Sequence, residues 1–261
     1  MDAWFRAAAY LDYLRRSTTR YRIHSPFVYS FIENVLRNRD SAKEPASLFS
    51  LRKRLMNDRT LITKTDLGSG SDNGDTYQVV LGKLIRSSIS SDRELGLLYN
   101  MAKYFRPGLT IELGTAAGLS AAALALGHPE GEVITVEGSP SLVSLAEKNL
   151  KELKINNVKT VTANFDDALP EILSAGKEVD LYFIDGNHRY GPTISYFELG
   201  LEHSSDDTVF VFDDIYWSRD MSEAWGAIKN RPEVRISIDI FSKGFIFLNR
   251  GLSKQHFVLR Y

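Results

Sequence analysis

The chain contains no cysteine. That excludes disulfides and thiolate-bound zinc and suits a reducing compartment. It has no apolar run near the roughly 18 residues of a membrane span. Its first residues, Met1-Asp-Ala-Trp-Phe-Arg6, lack the basic-then-apolar layout of a signal peptide. A cytoplasmic protein with no membrane partner is therefore expected. Repeats and low-complexity tracts are absent, and net charge is nearly so, at -1. What remains is ordinary for a soluble globular protein: 261 residues, 43% hydrophobic and 25% charged, enough to bury a sizeable core.

The small net charge conceals an asymmetry. Residues 1–108 carry 18 Lys and Arg against 11 Asp and Glu; the remainder carries 14 against 22. A basic half on an acidic half fits a site for an anionic substrate, and it equally fits mutual attraction within the chain or across a homodimer. No nucleic-acid-binding motif accompanies the basic half, so a nucleic-acid partner is the less favoured reading.

The same position divides the chain by pattern, which gives an expected helical extension over 1–108 and a second domain over 109–261. Trp4, Ala8, Leu11 and Leu14 share one helical face. Ser25-Pro26 reads as a cap with proline at the first helical position, opening a helix that runs to about Arg37. Leu48–Leu55 and Asp92–Phe105 offer two more helices, with Pro107-Gly108 as a stop. Between them, the glycine-rich stretch 66–75 reads as a connector or as a cover for a site.

From residue 109, strands alternate with helices. Leu109–Leu113, Glu132–Glu137, Val158–Ala163, Val179–Asp185 and Thr208–Asp213 are the expected strands, with helices over 118–127, 140–153 and 190–202 between them. Val234–Phe241 and Gly244–Asn249 form a β-hairpin joined by Ser242-Lys243. The expectation is an α/β protein: a Rossmann-like, doubly wound, mostly parallel seven-stranded sheet with a C-terminal antiparallel hairpin.

Two apolar runs end in carboxylates, at Asp185 in Ile-Asp-Gly-Asn-His188 and at Asp213-Asp214. Parallel neighbours lie about 4.8 Å apart, so acids at their C-terminal ends converge where open α/β sheets bind ligands. Asp185 and Asp213 can also be read as caps of the following helices. Consecutive Asp213 and Asp214 would point to opposite sides within a strand, leaving one of them structural. His188 serves equally as a proton acceptor or as a local hydrogen-bonding residue of its loop. Trp217, Trp225 and Met221 fit helix-to-sheet packing as well as they fit a pocket.

The loop after the first of these strands, Ile111-Glu-Leu-Gly-Thr-Ala-Ala-Gly-Leu-Ser120, carries glycines at 114 and 118. These allow a sharp turn and a close ligand approach at a helix N-terminus. It lacks the G-x-G-x-x-G spacing of a dinucleotide fingerprint, which weighs against a nucleotide-dependent oxidoreductase. One strand later the chain ends Thr-Val-Glu137, an acid suited to both hydroxyls of a ribose. Loop and acid together point to an adenosyl ligand.

On these residues the sequence resembles the class I S-adenosylmethionine-dependent methyltransferases, over about 109–250. Asp185–Tyr190 with Val211–Trp217 resembles the metal-dependent O-methyltransferases of catechol and macrocin type. The full layout also resembles a group of bacterial methyltransferase-like proteins, through His24–Phe27, Leu67–Ser71, Asp185–His188 and Asp213–Trp225. The resemblance implies that Glu112, Gly114, Thr115, Ala116, Gly118 and Ser120 line the methionine end of S-adenosylmethionine. Glu137 with Gly138 would hold the ribose, and Phe165 with Asp166 would border the adenine. Asp185 would sit beside the cofactor and, with Asp213 and Asp214, ligate Mg²⁺, Mn²⁺ or Ca²⁺. His188 would be the base, with His24, Tyr190, Trp217 and Arg219 near a small-molecule acceptor. The expected activity is metal-assisted methyl transfer to oxygen; the rival is a cofactor-binding protein without catalysis.

Overall fold

The protein is seen in a computed structural model that describes residues 3–38, 45–66, 75–88 and 91–261. In chain order it runs α1 (Ala3–Arg16), α2 (Pro26–Phe31), α3 (Ala46–Met56), β1 (Leu61–Asp66), β2 (Asp75–Val80), α4 (Leu81–Ser88), α5 (Asp92–Phe105) and β3 (Leu109–Leu113). It continues with α6 (Leu119–Gly127), β4 (Glu132–Glu137), α7 (Pro140–Glu152), β5 (Val158–Thr162), α8 (Phe165–Ser174), β6 (Leu181–Ile184) and α9 (Tyr190–Glu202). The last elements are β7 (Val209–Asp213), α10 (Arg219–Lys229), β8 (Ile236–Asp239), β9 (Lys243–Phe247) and β10 (Gln255–Val258). Packing gathers these into two compact units, Glu33–Ile172 and, from both chain ends, Met1–Ile32 with Leu173–Tyr261. The pattern boundary at residue 108 lies inside the first of them.

In the Glu33–Ile172 unit, β3, β4 and β5 pair in parallel, in that order. All five residues of β3 are buried, as a parallel strand covered on both faces requires. Helix α6, Leu-Ser-Ala-Ala-Ala-Leu-Ala-Leu-Gly, is apolar nearly all round and correspondingly buried. It packs along α5 so closely that a Cβ on Gly127 would meet the Tyr99 carbonyl oxygen at 2.4 Å. Helix α5 opens on a capping box, with the Ser91 side chain accepting from Glu94 N–H and the Glu94 carboxylate from Ser91 N–H. It closes at Arg106, in the left-handed region just before Pro107-Gly108.

The expectation of helices alone before residue 108 is corrected here. β1 and β2 form an antiparallel pair, Leu61 opposite Val80 through to Asp66 opposite Asp75, followed by α4. β-branched residues at 62, 63, 65, 76, 79 and 80 favour extended backbone. The glycine-rich residues 67–74, including those in the Leu67–Ser71 resemblance, lie outside the described residues.

In the other unit the strand order is β10-β8-β9-β7-β6. β6 and β7 are parallel, β7–β9 and β9–β8 antiparallel, and β10 joins the edge parallel to β8. β10 adds a strand to those the sequence pattern supplies. Its four residues, all exposed or half-buried, give no buried apolar run to read. Buried rings hold this unit together: Tyr182 stacks on Phe210 at 4.7 Å, Phe197 meets Phe210 edge-on, and Phe212 meets Trp225. Gly244 makes room for the Trp225 ring, which a Cβ would approach to 2.7 Å.

Ser25 caps α2 by accepting from Val28 N–H, with Pro26 at the first position, and a π-helical turn carries the helix on over Ile32–Leu36. Phe27 and Phe31 pack edge-on against Phe247, and Phe31 also against Phe245. The Trp4–Leu11 stripe of α1 is not its core face: Trp4 is 88% and Leu11 68% exposed. The helix instead buries Tyr13, which packs on Tyr10 and Phe241 and donates its hydroxyl to the Leu259 carbonyl at 2.5 Å.

Candidate functional site

The expected site residues fall into two groups, one in each unit. The first surrounds the loop from β3 to α6. Gly114, Ala116 and Gly118 all take positive φ, at 109°, 46° and 74°. The two glycines do so without strain; Ala116 does so under constraint. That constraint is visible in Glu137 at the end of β4. Its Oε2 accepts from Ala116 N–H at 2.9 Å, and its Oε1 accepts from Ser139 N–H at 3.0 Å. Glu137 thus braces the turn expected to face the cofactor, and a carboxylate with two acceptor positions filled retains room for more.

Glu112, the penultimate residue of β3, is fully buried. Its Oε2 accepts from Thr135 Oγ1 at 2.5 Å, and the Thr135 and Thr115 hydroxyls pair at 2.6 Å. Its Oε1 has no well-formed hydrogen bond among the described residues. Burial pushes its pKa up to about 7, against the opposing pull of the Ser120 and Thr135 hydroxyls, with a further upward push from Glu137. A buried carboxyl oxygen without a partner is costly unless a ligand supplies one. Ser120 is buried in the first turn of α6, and Gly138 lies in the turn from β4 to α7. Phe165 and Asp166 begin α8, half-buried and exposed respectively. Thr135 and Ser139 are the contributors that sequence reasoning missed, because a threonine inside a buried strand carries no pattern signal.

The second group lies beyond β6 and β7. Asp185 follows β6 directly, and its Oδ1 is 3.7 Å from His188 Nε2, both side chains about three-quarters buried. Between them Asn187 sits in the left-handed region and donates to the Tyr196 hydroxyl at 3.1 Å, fixing the turn. Burial lowers the His188 pKa, as does Lys243, while the Asp213 charge opposes. Near neutral pH the imidazole is therefore neutral and able to accept a proton. Its ring lies 6.2 Å from that of Trp217.

Asp213 ends β7, and its antiparallel partner in register is Lys243, the first residue of β9. The hairpin turn accordingly falls over 240–242, with Phe241 in the left-handed region, rather than at Ser242-Lys243. Lys243 is completely buried and donates from Nζ to Asp213 Oδ1 at 2.5 Å. The same oxygen accepts from Asp214 N–H at 2.9 Å. Asp214 has already left the strand, at φ 49°, its N–H also reaching the Ser242 carbonyl.

The expected metal centre is not shown. Among the described residues no three His, Cys, Asp or Glu side chains are gathered as a metal site, and Asp213 is paired with an internal cation. The donor set at 185, 213 and 214 does not fit a divalent ion.

Of the expected acceptor residues, Trp217 is half-buried beside His188, with the Arg6 guanidinium 5.0 Å above its ring. Arg219 is exposed and lies over the Phe5 ring. The start of α1 therefore lies against the segment after β7, a neighbour that sequence order concealed. Tyr190 is exposed at the start of α9, its N–H held by Asp220. His24 is exposed just before α2, and no contact joins it to this group among the described residues. Trp225 and Met221 are buried packing residues.

With this geometry in hand, comparison with known proteins gives the fold. A family model described as a methyltransferase domain matches residues 111–215. The release factor glutamine methyltransferase of Escherichia coli (strain K12) is 38% identical over 64 residues, 24% of this chain and 23% of that protein. The match thus spans about a quarter of that relative's length. A methyltransferase from Podospora anserina, solved with S-adenosylhomocysteine bound, superposes with a TM-score of 0.59 at 15% identity, covering 81% of this chain and 96% of that one. An O-methyltransferase from Bacillus cereus, also bound to S-adenosylhomocysteine, does so with a TM-score of 0.55 at 21% identity, covering 84% and 95%. The chain has the Rossmann-like α/β methyltransferase fold, with its mostly parallel sheet and C-terminal hairpin.

Proposed function

We propose that this chain is an S-adenosylmethionine-dependent methyltransferase that acts on an oxygen of a small-molecule acceptor. The observation that carries the reading is the loop from β3 to α6, held in positive φ by Glu137 from the end of β4, beside the unpartnered Glu112 Oε1. These residues fit a ligand with one cationic and one sugar-like end. The matching domain model covers the same stretch. The O-methyltransferase similarity supports oxygen as the acceptor atom.

When bound, S-adenosylmethionine would supply an electrophilic methyl on a sulfonium. The chain's own residues then have to hold, orient and deprotonate. Glu112 would take the ammonium of the methionine end, with Gly114, Ala116 and Ser120 around it. Glu137 would accept from the ribose hydroxyls while keeping its backbone partners. Phe165 and Asp166 would border the base. His188 would accept the acceptor hydroxyl's proton. Asp185 lies 3.7 Å from His188 Nε2 and would draw the imidazolium that forms. No step is assigned to a metal, because Asp213 Oδ1 is already paired with Lys243.

Calorimetric titration with S-adenosylmethionine, followed by a screen of hydroxyl compounds for S-adenosylhomocysteine release, tests the reading. Binding, and turnover that His188→Gln abolishes across pH 6 to 8 (roughly the window around free imidazole), is the expected result. No binding under any condition overturns it, and full turnover by His188→Gln removes the base.

A further inference from the structure

We propose that Lys243 is the resident cation of the acid cluster at the ends of β6 and β7, so that this site works without a divalent ion. The inference rests on the methyltransferase reading for its purpose, but not for its geometry.

Four observations carry it. Lys243 is completely buried, although lysine almost never is unless paired. It stands directly opposite Asp213 in the β7–β9 register, so the pair is built by strand pairing and not by a chance approach of long side chains. Its Nζ lies 2.5 Å from Asp213 Oδ1 and 5.6 Å from the centre of the Phe183 ring, an apolar wall that also favours a cation. Asp213 Oδ1 receives a second donor, Asp214 N–H, so both lone pairs of that oxygen are engaged.

A divalent ion on a carboxylate oxygen sits about 2.0–2.6 Å away. Here the Lys243 ammonium already pairs with Asp213 Oδ1. A second, doubly charged cation on the same carboxylate would meet it at close quarters in a poorly screened interior. Lysine and metal are therefore alternatives at Asp213, and this sequence has the lysine. Lys243 acts as a positioning residue: it fixes Asp213 and supplies the charge that an ion would otherwise bring.

The test is Mn²⁺ binding by electron paramagnetic resonance, with thermal unfolding in Mn²⁺ and in chelator, on the full chain and on Lys243→Met and Lys243→Arg. The wild type is expected to bind no Mn²⁺ and to melt identically in both conditions. Lys243→Met is expected to melt lower and to be restored by Mn²⁺, which re-pairs the orphaned Asp213. Lys243→Arg should behave as wild type. Stoichiometric Mn²⁺ binding by the wild type that Asp213→Asn abolishes would overturn the proposal, and that arm stands even if Lys243→Met fails to fold. An unshifted Lys243→Met melt, or a loss that Mn²⁺ leaves unrepaired, would also overturn it. S-adenosylmethionine titration of the same samples separates the two failures: no cofactor binding sinks the methyltransferase reading and leaves the metal result standing.

Discussion

Glu112 brings a carboxyl to a place without solvent, held by the Thr135 hydroxyl and drawn down by that of Ser120, with Oε1 short of a well-formed hydrogen bond. Its pKa rises from 4.5 to about 7. A group whose folded pKa is raised contributes stability that is fully present below the unfolded value and lost as pH climbs through the folded one. The window here is therefore pH 4.5 to about 7, and the shift sets an upper bound of about 3 kcal/mol. Glu112→Gln keeps an acceptor for Thr135 and removes the titration. It should gain stability over wild type at pH 8 and little at pH 5, with weakened S-adenosylmethionine binding at both; urea unfolding at the two pH values checks this. An equal difference at both would mean that the carboxyl finds a partner in solution. Glu137→Ala should lose more than a ligand contact, because it releases Ala116 and Ser139 N–H together. Cofactor affinity should fall and amide exchange at Ala116 should speed up, and an unchanged exchange rate there would reduce Glu137 to a ribose contact alone. The sequence made Glu137 legible as a strand-end carboxylate, and Glu112 only through the resemblance. It could not reveal that one braces the loop, since a backbone N–H leaves no mark in sequence.

At the scale of elements, the turn from β3 into α6 depends on Gly118. It takes φ 74°, and a Cβ there would stand 2.9 Å from the Ala146 Cβ on α7. Gly118→Ala should cost about 1–3 kcal/mol from backbone strain and overpacking together. The loss should appear in urea unfolding along with reduced cofactor affinity; unchanged stability would show that α7 yields easily. Strands β6 and β7 were legible because each is buried on both faces and reads as a nearly unbroken apolar run. β1, β2 and β10 were not, because they are exposed or half-buried and mix polar with apolar residues. The same limit hid Lys243. A lysine at a turn is ordinary, and only the register that sets it opposite Asp213 reveals a buried pair.

At the scale of the whole chain, its two ends belong to one packing unit. A charge and pattern boundary at residue 108 could not reveal that, because pairing between segments more than 200 residues apart leaves no local periodicity. Thr18 N–H donates to the Val258 carbonyl at 2.8 Å, and Arg260 N–H returns to the Thr18 carbonyl at 3.0 Å, a parallel bridge between the N-terminal segment and the strand edge. Tyr13 reinforces it from α1 by donating to the Leu259 carbonyl and accepting from Tyr261 N–H. Arg16 donates to the Tyr216 hydroxyl, which in turn donates to buried Asp239, tying α1 to β8 as well. The start of α1 also carries Phe5 and Arg6 to Arg219 and Trp217, so whatever holds α1 also holds the wall beside His188. Tyr13→Phe leaves the Leu259 carbonyl without its donor and should cost about 1–3 kcal/mol. More tellingly, it should speed tryptic cleavage after Arg15 and Arg16 and lower turnover, while S-adenosylmethionine affinity stays put, because the glycine-loop residues belong to the other unit. A parallel fall in cofactor affinity would mean that α1 supports more of the molecule than its own unit, and an unchanged cleavage rate would mean that the ends are held by the bridge at Thr18 without Tyr13.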